Sequence, residues 1–116
     1  MRDRVWRQGE AAAWNAYRRR GYRLVARNWT SGVGELDLVV ARDGTLVFVE
    51  VKARSSSRFG GPYEAVGWAK QHKLRLLAEA FVADRHAEAD GIRFDVASVT
   101  IRGRGPPEVH LFEDAF

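Results

Sequence analysis

Along residues 4–20 the apolar positions Trp6, Ala13, Trp14 and Tyr17 recur at helical spacing, which predicts a helix with one buried stripe. Gly21 follows Arg18, Arg19 and Arg20 and predicts the C-terminal stop, and the three arginines suit the negative end of the helix dipole. Residues 22–29 alternate loosely and read as a strand, and the run TSGVG at 30–34 reads as a turn. Residues 35–41 and 45–52 predict two strands joined through Arg42-Asp43-Gly44. A polar, glycine-rich loop is expected over 53–62, with a short helical turn at 63–66. A helix is expected over 68–84, burying Leu74, Leu77, Ala78, Phe81 and Val82. Residues 92–101 and 108–112 predict two final strands around a turn at 103–107. The order αβββαββ predicts an α/β fold, a mixed sheet of about five strands flanked by helices, in one domain over residues 1–116.

Polar residues break this pattern where the hairpin ends. Asp-Gly between two strand-like runs predicts a two-residue turn. Arg42 then pairs with Thr45, Val39 with Phe48 and Leu38 with Val49; one step further Asp37 falls opposite Glu50, and Glu35 opposite Lys52. Opposed residues share a sheet face, with Cβ atoms roughly 4.5–5.5 Å apart. Two like charges in an apolar strand such as LVFVEV are costly unless one is protonated or a cation sits between them. Oxygen ligands of this kind suit Mg²⁺ or Mn²⁺. Lys52, on the face of Glu50, would then either orient or help deprotonate a metal-bound water or stabilise charge on a reacting phosphate, with Glu35 holding it in place. The plainer reading is an ion-pair network at a strand end.

Glu10 lies on the apolar stripe of the first helix, four residues after Trp6. Either it joins the carboxylate cluster, or it sits at the helix edge and pairs with Arg4 or Arg7. His86 and His110 stand in contexts that read as structural or surface positions, and Asp95 falls in a strand with its role open.

Composition narrows the partners. The formal charge of +4 comes mostly from arginine, whose planar fork suits phosphate. Arg54 and Arg58 follow the polar cluster in sequence, and Lys70, Gln71 and Lys73 open the second helix; together they form a candidate DNA-backbone surface. No base-reading element is visible, so recognition of DNA structure rather than sequence is expected. The chain has no cysteine, which excludes disulfides, thiolate metal sites and cysteine catalysis. No apolar run reaches the length of a membrane span, and MRDRVWRQGE lacks the apolar stretch of a secretory signal, so a cytoplasmic protein without a membrane partner is expected.

An ordered set of segments carries a resemblance: Gly9-Glu10, GELDLV from Gly34, FVEVKAR from Phe48, KQHKL from Lys70, RFDV from Arg93 and the terminal EDAF. Asp37 with Glu50-x-Lys52 on consecutive strands, after a helix carrying Glu10, resembles the PD-(D/E)xK nuclease superfamily. The longer set is closer to the bacterial YraN family, which is similar to archaeal Holliday-junction resolvases. The resemblance implies a restriction-endonuclease-like fold, a divalent metal on Asp37 and Glu50, Lys52 as catalytic lysine and Glu10 as an auxiliary acid. Leu36 stands where the superfamily pattern has proline. A resolvase-like activity would need two sites and hence a homodimer. The expected function is metal-dependent endonucleolytic cleavage of DNA, with a non-cleaving nucleic-acid-binding module as the alternative.

Overall fold

The computed structural model describes residues 3–55 and 66–116. Helix α1 (Arg4–Arg19) is followed by strands β1 (Arg23–Thr30), β2 (Glu35–Arg42) and β3 (Thr45–Arg54). Helix α2 (Trp68–Arg85) then leads to β4 (Gly91–Thr100) and β5 (Glu108–Phe112). The five strands form one sheet in sequence order, antiparallel except for the parallel pair β3–β4. Parallel neighbours need a crossover, and α2 supplies it. The expected α/β architecture and its αβββαββ order are present, with boundaries shifted by one or two residues. The short helical turn expected at 63–66 lies outside the described residues except for Val66, which is not helical.

Asp3 caps α1 by accepting the Trp6 N–H at 2.8 Å, and Gly21, with φ of 88°, ends the helix as its position predicts. Asp43 and Gly44 both have positive φ, 50° and 80°, the two-residue turn that matches strand twist. The hairpin register is the expected one from Arg42↔Thr45 to Leu38↔Val49.

Alternation divides the sheet's side chains between two cores. Leu38, Val40, Val47, Val49, Val51, Ala97 and Val99 pack with Ala13 and Tyr17 of α1. Val39, Ala41, Leu46, Phe48, Phe94 and Val96 pack with Leu74, Leu77, Ala78 and Phe81 of α2. The helices therefore cover opposite faces of the sheet. No helix among the described residues is long and apolar enough to cross a membrane.

Gly9 sets how closely α1 approaches. A Cβ there would collide with the Cβ of Ala53 on β3, and neither atom can swing away. In an open helix Gly→Ala gains up to about 1 kcal/mol of propensity. Here overpacking costs about 1–3 kcal/mol, so the clash wins. Gly9→Ala is expected to lower the urea midpoint without changing the m-value; a raised midpoint would show that α1 has room.

Asp95 is fully buried on β4. It accepts the Tyr17 hydroxyl at 2.7 Å, two Arg93 guanidinium bonds at 2.8 and 2.9 Å, and the Asp114 N–H at 3.0 Å. Arg93 also donates to the Tyr22 hydroxyl at 2.8 Å. The role left open by sequence is thus structural: Asp95 ties α1 and the C-terminal tail to the sheet, and through Arg93 it reaches Tyr22 just before β1.

Candidate functional site

The β2–β3 ladder ends at Leu38↔Val49, one step short of the expected Asp37–Glu50 pair. Beyond it the side chain of Asp37 takes over: its Oδ2 accepts the Val51 N–H at 2.9 Å. A carboxylate thus replaces a strand carbonyl, and the two strands fork. The expected cross-strand pair of Glu35 with Lys52 is not in register either, because the β2–β3 ladder has already ended; on its other edge β2 stays paired, Glu35 with Thr30 of β1.

A local twist turns Asp37 out of the ladder. Leu36 and Val39 pack in the same core although they are three residues apart, which strict alternation forbids. The strand therefore rotates between them, at Asp37. Opposite this point in β1 stands Asn28, with φ of 52°, in the left-handed region that asparagine tolerates better than most residues. Asn28 was not singled out from sequence; its signal was an asparagine among strand-forming neighbours.

The fork opens a pocket of about 270 Å³ lined by Trp6, Glu35, Asp37, Glu50, Val51, Lys70, Lys73 and Leu77. Three carboxylates thus face two ammonium groups. Asp37 is 9% exposed, and the Glu50 side chain 12%. Lys70 Nζ lies 3.2 Å from Glu50 Oε2. Lys73 reaches the pocket over Gly34, where a Cβ would come within 2.8 Å of its Cε; glycine at 34 leaves the path for the lysine stem.

The other expected site residues are placed as follows. Lys52 is half-buried and, by alternation with Phe48, lies on the face of Glu50, but it does not line the pocket. Among the described residues its side chain makes no hydrogen bond or ion pair. Glu10 is buried, yet it pairs with neither Arg4 nor Arg7: its Oε1 meets Arg27 of β1 at 3.1 Å. Its Oε2 is buried without a hydrogen-bond partner among the described residues. Glu10 does not line the pocket, although Trp6, one helical turn earlier, does. Gln71 donates its side-chain amide to the Val66 carbonyl at 2.8 Å, which anchors the chain entering α2. Arg54 is half-buried at the end of β3, and Arg58 lies outside the described residues. His110 pairs with the exposed Glu108 at 3.2 Å, and that bond, with Arg102 behind it, holds the Glu108 carboxyl below its ordinary pKa. His86 is exposed at the C-terminal end of α2, so both histidines are surface residues.

Among the described residues no three histidine, aspartate or glutamate side chains form a metal-sized cage. The pocket offers the hard carboxylate oxygens of buried Asp37 and nearly buried Glu50 instead. That set fits Mg²⁺ or Mn²⁺, which are held by one or two carboxylates, waters and a substrate phosphate rather than by a closed protein shell.

The chain matches the family model described as "Uncharacterised protein family UPF0102" over residues 9–99. That span contains Glu10, Glu35, Asp37, Glu50, Lys52, Lys70, Lys73 and Asp95. A UPF0102 protein of Symbiobacterium thermophilum is 42% identical over 116 residues, covering 100% of this chain and 98% of the relative. A UPF0102 protein of Beutenbergia cavernae is 48% identical over 112 residues, covering 95% and 94%. One from Rhodococcus jostii is 44% identical over 97 residues, covering 83% and 81%. Matches of this extent leave one assignment: the chain belongs to the UPF0102 family, the YraN family.

Proposed function

We propose that the protein is a metal-dependent endonuclease that hydrolyses DNA phosphodiester bonds, with branched or junction DNA as its preferred structure. The observation that carries this reading is the fork: Asp37 is turned out of the β2–β3 ladder to stand with Glu50 in a polar pocket bordered by two lysines. A fold gains nothing from a buried and a nearly buried like charge at the open end of a hairpin; a site that binds a cation and a phosphate does.

In this reading Asp37 and Glu50 hold Mg²⁺ or Mn²⁺. The bound ion supplies Lewis acidity toward the phosphoryl oxygen and a lowered pKa for water. Asp37 keeps its orientation through the Val51 N–H, which its Oδ2 accepts, and this backbone contact would fix the carboxylate toward the ion. Lys52, on the face of Glu50 and without an anionic partner among the described residues, meets charge developing on the phosphate. Lys70 and Lys73 meet flanking phosphates at the mouth of the pocket. Glu10 adds a negative charge, with one acceptor oxygen that has no hydrogen-bond partner among the described residues. Cutting both strands of a junction takes two such sites, so a homodimer goes with this reading, as does a cytoplasmic location.

A second reading, a nucleic-acid-binding module that does not cut, is favoured by one observation: Glu50 already has a cation, Lys70. The experiment that separates the two is cleavage of labelled single-stranded, duplex, flap and four-way-junction DNA in Mg²⁺, in Mn²⁺ and in EDTA. Metal-dependent cutting, strongest on branched DNA, is expected. Binding of all four without any cutting selects the second reading.

A further inference from the structure

We infer that Lys70 is an exchangeable counter-ion that occupies Glu50 until a DNA phosphate draws it away, so that metal binding and DNA binding are coupled through this one side chain. The inference rests on the endonuclease reading of the pocket and adds how its loading is regulated.

The geometry is specific to Lys70. Its Nζ is 3.2 Å from Glu50 Oε2, and the carboxylate is nearly buried while 47% of the lysine side chain is exposed. The anion is thus fixed and the cation is on a long stem that reaches solvent. Lys73, one helical turn on, passes beside Gly34, and among the described residues it makes no ion pair with Glu50. Nor does α2 itself gain from Lys70. The residue is the third of the helix, in a first turn with no acidic residue, where a positive charge opposes the dipole. Its placement makes sense beside Glu50 and beside an incoming anion, not as a helix-stabilising charge.

Two cations then compete for one carboxylate. A divalent ion entering without DNA must displace the Lys70 ammonium from Glu50. A phosphate at the mouth of the pocket offers Lys70 a second anion and releases Glu50. DNA therefore tightens metal binding, and by reciprocity metal tightens DNA binding by the same factor. The consequence is a site that loads metal chiefly when substrate is present.

The test is equilibrium binding of Mn²⁺ to the full chain, read from the electron paramagnetic resonance of the free ion. Wild type, Lys70→Ala, Lys70→Gln and Lys73→Ala are titrated alone and with a saturating phosphorothioate duplex, with the duplex alone as control. Without DNA, both Lys70 variants are expected to bind Mn²⁺ about 5–10-fold more tightly than wild type, and Lys73→Ala by less than half that factor. The duplex is expected to tighten binding to wild type by a similar factor and to leave the Lys70 variants unchanged. Equal Mn²⁺ affinities in wild type and both Lys70 variants would overturn the counter-ion role while leaving the endonuclease reading intact. So would an equal gain in Lys73→Ala, or DNA-induced tightening that survives in the Lys70 variants. No Mn²⁺ binding by any folded variant, with or without DNA, would overturn the metal site and the counter-ion together.

Discussion

Glu50→Gln is expected to lower metal-dependent DNA cleavage by roughly 10²–10³-fold, with Asp37→Asn close behind. That factor corresponds to about 2.7–4 kcal/mol of transition-state stabilisation. Both substitutions remove charge and keep shape. Asparagine at 37 still presents an oxygen to the Val51 N–H, so the fork between β2 and β3 survives. Glutamine at 50 loses the ion pair with Lys70, a half-exposed contact worth little to stability. Neither variant should melt far from wild type, which separates loss of chemistry from loss of fold. The check is single-turnover cleavage at saturating Mg²⁺, with thermal denaturation of the same samples. Cleavage that persists in a folded Glu50→Gln protein would remove the pocket from the reaction.

The ordered part of this site was legible in sequence because local rules set it. An Asp-Gly turn fixes a register, and a register determines which residues face one another; that was enough to bring Asp37 and Glu50 to one end of the hairpin. What escaped was long-range. The pairs Glu10–Arg27 and Glu50–Lys70 span 17 and 20 positions in the chain, and each follows from which sheet face a helix covers. Helix propensity and periodicity say that a stripe is buried, not which strand lies beneath it. The fork escaped for a different reason. Extending a ladder one more step is the default of strand pairing, and the sequence offers no general rule for a side chain that takes the place of a backbone acceptor. Gly9 and Gly34 stood within recognisable motifs, but their roles are matters of space: Gly9 lets α1 lie on Ala53, and Gly34 gives Lys73 its path.

The largest effect on stability is expected at Asp95, away from the pocket. Asp95→Ala leaves the Arg93 guanidinium without its closest anion, the Tyr17 hydroxyl buried without an acceptor and the Asp114 N–H without its partner. Removing one member of a buried ionic network costs about 3–5 kcal/mol, against a total stability of about 5–15 kcal/mol for a domain. Tyr17→Phe deletes one hydrogen bond and leaves Asp95 paired with Arg93, so about 1–2 kcal/mol is expected. Urea denaturation of the two variants gives the comparison; equal losses would mean that Arg93 and Asp114 contribute nothing to the network. The same contact sets an alkaline limit. Burial, then the neighbouring Asp95 carboxylate, raise the pKa of Tyr17 far above its ordinary value of 10.0. Below that pH tyrosine is neutral in both states and the contribution of Tyr17 does not change. Above it the unfolded chain releases a proton that the folded chain retains, so stability falls as pH rises, by at most about 1.4 kcal/mol per pH unit from this group. Melting temperatures between pH 9 and pH 11 should therefore drop in wild type more steeply than in Tyr17→Phe, which has no phenol to ionise at that position. Parallel slopes in the two proteins would show that the hydroxyl ionises as readily in the folded chain as in the unfolded one.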